Sequence, residues 1–490
     1  MSSLNLVDQF GRPLSASYGR FYDGATRSGD RTWIPYTATD SSVTDTTWDR
    51  MEMLSIARYL YANVGFIRGA IDDLALYSVG SGITIRSACK DPELRKVFNE
   101  AWDLFSKNCD YTGRVPQLNV MLRAMCRAMD VDGDIGAIPV LDANGDPKIQ
   151  TIKGHRILDC GGNDSKDGVI VDGDRILGYR VKITGKDGKD SYVEYPASRF
   201  RLLFEARTTD PFRGITSLCH AINNSRDSLD ILKFEKLAVK ENSSIGLTIT
   251  TTDGKDAQGG FFSPVKTEYG PDGKPVTKEQ LRGGAIPRLG LNEKIESYQS
   301  NRPSTTFTGF LDYVDSDIAI GLNVPVEFIR ISRSGLGGAP QRFCLAKAQR
   351  KFDSRGELLA DWVQAIRFFV IGQKIFTKKL PLCDDWWKVT IHYPSKISVD
   401  IGRDAAQNRQ DIDAGIRTIT EDASERSVDF DTLRDTLEAE VDDHMTRALR
   451  LHQKHPEFNL DTCLMLMRKP TANGNLPGTG VPTPEPPPQP

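Results

Sequence analysis

One apolar stripe dominates the chain. Leu345, Ala348, Phe352, Gly356, Leu359, Val363, Ile366 and Val370 recur at steps of 3, 4, 4, 3, 4, 3 and 4. That spacing marks one face of a single helix. The run predicts a helix of more than about thirty residues, on the order of 50 Å long at 1.5 Å per residue. A rod of that length exceeds a compact enzyme core and suits the backbone of an assembly subunit. A Gly-rich, basic, Pro-bounded loop, from Val324-Pro325 through Gly337-Gly338-Ala339-Pro340, leads directly into it. A mobile loop on a rigid rod points to a mechanical part rather than a catalytic pocket.

Other helices follow from caps and periodicity. Thr46 with Asp49 makes a capping box for a helix from Trp48 to about Tyr77, stopped by Gly80 and Gly82. Asp91-Pro92 opens a second helix and Pro116 a third. The texture changes at Asp130. Short apolar runs at Ile135–Leu141, Lys148–Ile152, Gly168–Val171, Ile176–Ile183, Tyr192–Tyr195 and Phe200–Phe204 alternate with turn clusters, predicting an antiparallel β-region. A helix is expected from Gly214 to about Asn242, then a Gly-, Thr- and Pro-rich module with weak strand signals to about 302. Helicity resumes from Thr306 to Leu322; after the long helix come a short strand at Val389–Tyr393 and a charged helical segment over 402–455. The first 47 residues read as an arm without its own core, and the Pro-rich stretch 471–490 as a disordered tail.

Composition narrows the classes. The 490 residues are 39% hydrophobic and 26% charged, which describes a globular protein with a wet surface. No apolar run approaches a membrane span, and the N-terminus lacks a basic stretch before an apolar one, so a protein of a cytosol with no membrane segment is expected. A net charge of −3 offers no global attraction for nucleic acid. If DNA is involved, gripping it tightly is not the task. The eight cysteines are scattered without any Cys-x-x-Cys, which argues against a structural zinc site or a disulfide framework and for ordinary buried thiols.

Candidate chemistry is sparse. Asp130-x-Asp132-Gly-Asp134 and Asp142-x-Asn144-Gly-Asp146 resemble calcium loops, but the position that needs glutamate holds Leu141 and Lys153. Both read as hairpin turns. There is no phosphate-binding Gly-x-x-x-x-Gly-Lys-Ser/Thr, no Gly-x-Ser-x-Gly and no His-Glu-x-x-His, and the six histidines are dispersed. No catalytic residue, metal ligand or cofactor is assigned. Seven cations (Arg330, Arg333, Arg342, Lys347, Arg350, Lys351 and Arg355) crowd the loop and the start of the long helix. They form either a surface that meets phosphates or a solvated face paired to acids elsewhere.

Taken in order, these blocks resemble the lambda-type portal proteins of tailed bacteriophages. The resemblance rests on Asn63-Val64-Gly65-Phe66-Ile67-Arg68-Gly69-Ala70-Ile71 followed by Gly80-Ser81-Gly82-Ile83, and on Asp167-Gly168-Val169 with Ile176 to Val181. It continues through Pro211-Phe212-Arg213-Gly214-Ile215 and Ile318-Ala319-Ile320-Gly321-Leu322-Asn323-Val324-Pro325. The family's S-x-x-R after the loop is replaced by Gly338-Ala339-Pro340-Gln341-Arg342. The similarity spans roughly 48 to 465, and order and spacing make it more specific than any single block.

The resemblance implies an α+β portal fold: helical wing, stem and crown, an antiparallel β-region in the wing and a small α/β clip. By that likeness 1–47 is a flexible arm, 48–221 the wing, 222–243 and 304–323 the stem helices and 244–303 the clip. The tunnel loop is 324–340, the long helix and wing return 341–394, the crown 395–470 and the tail 471–490. It implies no enzymatic activity and no cofactor, but a homo-oligomeric ring, usually a dodecamer, at one vertex of the virion, assembled in the host cytoplasm. Double-stranded DNA would pass through it in packaging and ejection. Its partners would be the terminase large subunit, head-completion or connector proteins and the major capsid or scaffolding protein. The DNA-channel residues implied are Arg330, Arg333, Ser334, Gly335, Leu336, Gly337, Gly338 and Arg342. Physical reasoning adds a constraint: roughly six to ten phosphate contacts already signal tight holding, so a sliding passage cannot present every loop arginine unpaired. Two other classes stay open, a metal-dependent nuclease or DNA-modifying enzyme using a carboxylate cluster, and a capsid scaffolding protein. A scaffold should lack the β-region.

Overall fold

The computed structural model describes residues 39–159, 165–185, 187–244, 307–329, 339–394, 396–397, 401–426, 428 and 430–467, with four short strands between 248 and 296. The chain opens with α1 (Ser41–Thr44), α2 (Thr47–Asn63) and α3 (Gly65–Val79). Thr46 Oγ1 accepts the Asp49 N–H at 3.2 Å, the expected cap. The single helix expected over 48–77 is broken at Val64, which is extended (φ −108, ψ 109). Val64 is β-branched and lies between Asn63 and Gly65, three poor residues for a helix interior. Ser41, at the end of the expected arm, is buried and donates its N–H and hydroxyl to Asp210.

β1 (Thr84–Ser87) precedes α4 (Pro92–Lys107) and α5 (Leu118–Asp132). Asp91 caps α4 by accepting the Glu93 N–H at 3.0 Å. The β-region comprises β2 (Asp134–Leu141), β3 (Pro147–Lys153), β4 (Ser165–Lys166), β5 (Val169–Asp172), β6 (Arg175–Thr184), β7 (Asp190–Pro196) and β8 (Arg201–Phe204). It forms two antiparallel sheets, β3-β2-β8 and β4-β5-β6-β7. Ile138 and Ile152 of the first and Val169, Tyr179 and Val181 of the second share one core with Phe200. The turn at 142–146 is the expected hairpin, closed by Asp142 Oδ1 accepting the N–H groups of Asn144 and Asp146.

α6 (Ile222–Ser244) starts later than the sequence suggested. Upstream, the Ser217 N–H and the Thr216 hydroxyl donate to the Asp130 carbonyl, so that stretch serves the end of α5 instead of winding as helix. β9 (Thr248–Thr251), β10 (Lys266–Tyr269), β11 (Pro275–Lys278) and β12 (Glu293–Glu296) pair antiparallel as β9 with β12 and β10 with β11. The rest of the expected small module lies outside the described residues. α7 (Phe307–Gly321), α8 (Val326–Ile329) and α9 (Ala339–Phe376) follow, and β13 (Val389–His392) pairs with β1. The expected helical segment over 402–455 divides into α10 (Ile401–Asp413), α11 (Ile419–Glu425) and α12 (Phe430–Lys454), with Gly415 at positive φ in the first break; α13 (Leu460–Met467) comes last. Residues 1–38 and 468–490, most of the expected arm and the whole expected tail, lie outside the described residues.

α9 runs for 38 residues, and its stripe is buried from Ala348 to Val370. Ala348 and Phe352 join a core with α2, α3 and α7. Leu359, Val363, Ile366 and Val370 join a second with α5 and the first sheet, and Ile371 a third against α4. Each large aliphatic side chain buried there contributes about 1.5–3 kcal/mol. The long helix is therefore an axle covered by the chain's own elements. Among the described residues, no helix is long and apolar enough to cross a membrane.

Candidate functional site: loop anchors and a buried arginine–aspartate hub

Arg330, Arg333, Ser334, Gly335, Leu336, Gly337 and Gly338 lie outside the described residues. Arg342 is exposed on the first turns of α9. The loop's two attachments are defined. Upstream, α7 ends at Gly321, and Asn323 in the turn beyond it takes a positive φ of 59°, a conformation asparagine tolerates better than most residues. Leu322 and Val324 on either side are buried in the core that holds Ala348 and Phe352. Downstream, Cys344 Sγ lies 3.8 Å from Glu327 Oε2, tying the start of α9 to α8. The loop thus departs from and returns to one packed cluster.

The five described cations near the loop separate into classes. Arg342, Lys347 and Arg350 are exposed. Lys351 turns inward to Glu205, and Arg355, 2% exposed, pairs with Asp130 through Nη1 at 2.7 Å and Nη2 at 2.5 Å. The last two are structural.

Asp130 belongs to a larger arrangement. The hairpin turn expected at 130–134 is instead the junction of α5 and β2, where Gly133 at φ +94 ends the helix. Asp130, Asp132 and Asp134 are 0%, 5% and 0% exposed, and each meets an arginine from a different distant segment. Asp130 takes Arg355 of α9. Asp132 takes Arg58 of α2, with Nε and Nη2 at 2.7 and 2.6 Å. Asp134 takes Arg213, with Nε and Nη2 at 2.6 and 2.9 Å. Arg213 also donates to the carbonyls of Ile157 at 2.9 Å, Asp167 at 2.8 Å and Gly154 at 2.9 Å, so all five of its N–H groups are used. Asp167, at φ +51 in the β4–β5 hairpin turn, grips Arg50 of α2 at 2.5 and 2.8 Å.

Electrostatics keep the hub charged. Burial opposes the charge on Arg213, yet Asp134 and Asp167 outweigh it and hold its pKa above the ordinary value. Burial likewise opposes Arg355, and Asp130 with Glu205 more than compensates. Three carboxylates bound to three arginines are poor candidates for an acid, a base or a magnesium site. The arrangement is instead a rivet: it fixes α9, α2 and the stretch before α6 to one helix–strand junction. Sequence reasoning missed it. The signal was the alternation Asp130, Asp132, Asp134 around a glycine, but its arginine partners are dispersed.

One hub contact is acid-sensitive. Arg58 Nη2 lies 2.9 Å from His155 Nδ1, and burial, followed by the charge of Arg58, lowers the His155 pKa. A group whose folded pKa is depressed contributes stability above its unfolded pKa, near 6.5, that is lost as pH falls through the folded value. The thermal stability of the wild type should therefore fall as pH drops below about 6.5. His155→Gln, which keeps an acceptor for Arg58, should be less affected. Equal acid sensitivity in the two proteins would refute this role.

A second junction joins α6 to α7. Asn224 Nδ2 donates to Asp317 Oδ2 at 2.7 Å, and His220 Nε2 lies 3.3 Å from the Ile318 carbonyl. Leu218, Ala221 and Ile222 pack on Val314, Ile318 and Leu322.

No curated protein matches this chain. Among solved structures, the neck of a native gene transfer agent (GTA) particle computed with C12 symmetry aligns at 13% identity and TM-score 0.47, covering 78% of this chain and 93% of that one. The neck of an empty GTA particle computed with C6 symmetry aligns at 14% identity and TM-score 0.47, covering 81% and 95%. An HK97 family phage portal protein from Corynebacterium diphtheriae aligns at 12% identity and TM-score 0.33, covering 61% and 89%. The model of a sequence family described as phage portal protein, lambda family, matches residues 27–355, more than half of the chain and including the whole arginine–aspartate hub. The chain belongs to the lambda family of phage portal proteins.

Proposed function

We propose that copies of this chain close side by side into a ring at one capsid vertex, and that double-stranded DNA is packaged and ejected through its centre. The observation that carries the reading is a set of apolar helix faces left uncovered on the single chain. Leu437, Val441, Met445 and Leu449 recur every fourth residue along α12 and are exposed. Phe234 and Leu237 on α6 and Tyr313 and Ile320 on α7 are exposed as well. Contiguous apolar surface of this kind calls for protein contact, and a head-to-tail interface repeated by rotation closes into a ring.

In this reading 48–221 is the wing, α6 and α7 the stem, 244–303 the clip that meets the terminase and later the head-completion proteins, and 395–470 the crown. The loop 324–340 faces the DNA, with Arg330, Arg333, Ser334, Gly335, Leu336, Gly337, Gly338 and Arg342 at the channel. Support comes from its anchoring: both attachments are packed into the chain's core while Arg342, Lys347 and Arg350 are exposed beside it. ATP hydrolysis falls to the partner motor, and the ring itself acts as a passage rather than an enzyme.

Electron microscopy of the purified protein should show annular particles with a central hole; a monomer at high concentration would overturn the reading. Replacing Gly335, Gly337 and Gly338 together with alanine should leave the annuli intact and sharply reduce DNA-filled heads. Normal filling by that variant would remove the mobile-loop role.

A further inference from the structure

Two segments far apart in sequence bring two sulfurs and a carboxylate together at the far end of α9. Cys89, just after β1, is fully buried beside Phe98, Ala101 and Ile371. Cys383 and Asp385 lie in the turns between α9 and β13. The two Sγ atoms are 3.0 Å apart. Asp385 Oδ1 accepts from both thiols, at 3.0 Å from Cys89 and 2.7 Å from Cys383. Its other oxygen accepts the Lys90 N–H at 3.1 Å, which fixes the carboxylate. Arg95 Nε holds the Cys89 carbonyl at 3.2 Å. Among the described residues, this is the group of cysteine, histidine and acidic side chains arranged to hold a metal ion.

Two thiols this close could also join as a disulfide, but that bond would strip both thiol donors from Asp385 Oδ1 and leave unused a carboxylate that the Lys90 N–H fixes beside both sulfurs. A divalent cation instead gives the three donors one positive partner. Two thiolates with one carboxylate suit zinc and not magnesium or calcium. We propose that Cys89 Sγ, Cys383 Sγ and Asp385 Oδ1 bind a zinc ion, with water as the fourth ligand. The exchange balances: one Zn²⁺ enters, two thiol protons leave to solvent, and the carboxylate is already ionised. With Zn–S bonds near 2.3 Å, tetrahedral sulfurs lie about 3.7 Å apart. The pair must therefore open by about 0.7 Å, and half-buried Cys383, in a turn, can supply that movement. The site is hidden in the sequence because its two cysteines are 294 positions apart and share no Cys-x-x-Cys spacing. The ion would staple the β1–α4 link to the segment that follows the long helix, independently of how the ring works.

The test uses the full chain, purified under a reductant and analysed for bound metal. About one zinc per chain is expected. Asp385→Asn and Cys383→Ser should each weaken zinc affinity tenfold or more. Cobalt(II) added to metal-stripped protein should give a thiolate-to-metal charge-transfer band whose intensity Cys383→Ser cuts to about half or less, since one of two thiolates is lost. Folded, reduced wild-type protein without stoichiometric zinc would overturn the proposal, as would a Cys89–Cys383 disulfide in protein isolated with its thiols blocked. Should a variant fail to fold, the wild-type measurements still decide.

Discussion

Arg213→Met should destabilise the unit built on the two sheets by about 3–5 kcal/mol, the cost of removing one partner from a buried ion pair. The reason is what it leaves behind. Asp134 is 0% exposed, and without Arg213 its carboxylate keeps the Gly214 N–H at 3.2 Å. The carbonyls of Ile157, Asp167 and Gly154 lose a donor in the same step. Denaturant unfolding of the purified protein measures the loss directly. The double variant Arg213→Met with Asp134→Leu should recover much of it, because no buried charge is then stranded. A single variant within about 1 kcal/mol of wild type, the worth of an exposed pair, would show that the hub is not load-carrying.

The same residues explain what the sequence could and could not reveal. The long helix was legible because its stripe obeys one period over its whole length, and the α4 start because Asp91-Pro92 is a local signal. The strands were legible because each apolar run is bounded by turn residues. Boundaries failed wherever a distant partner sets them. Residues 214–221 carry an apolar pattern that reads as helix, yet Thr216 and Ser217 bond to Asp130 at the end of α5. The hub was invisible for the same reason. Asp130 and Arg355 are separated by 225 positions and Asp134 and Arg213 by 79, so no window of sequence contains a pair. Arg213-Gly214 and Asp167-Gly168, quoted above as motif residues of the portal family, acquire a physical role only in three dimensions: the arginines and carboxylates form the rivet, and the glycines let backbones approach. The sequence left the cations around the loop as either a phosphate-facing surface or a solvated face paired to acids elsewhere, whereas burial divides the five described ones into a structural pair, Lys351 and Arg355, and an exposed set, Arg342, Lys347 and Arg350.

Gly133→Ala should be nearly as damaging as the loss of Arg213, by a different route. Its φ of +94 is one that alanine rarely adopts, a cost of roughly 1–2 kcal/mol. A Cβ there would lie 2.5 Å from the Gly214 carbonyl oxygen and 2.8 Å from its carbon, and backbone cannot swing aside as a flexible side chain would. Overpacking adds about 1–3 kcal/mol. Gly214 presses back in the same way, since its own Cβ would sit 2.0 Å from the Gly133 oxygen. Relief of either clash must separate the two backbones, and both flank hub residues: Asp132 and Asp134 on one side, Arg213 on the other. Gly113→Ala provides the control. Gly113 also has a positive φ, +69, but nothing lies within 4 Å of its would-be Cβ, so it carries only the dihedral cost. Denaturant midpoints should therefore rank wild type, then Gly113→Ala, then Gly133→Ala, with annular particles lost in the last. Equal midpoints for the two glycine variants would mean that close approach of these backbones contributes nothing, and the rivet would then be held by its charges alone.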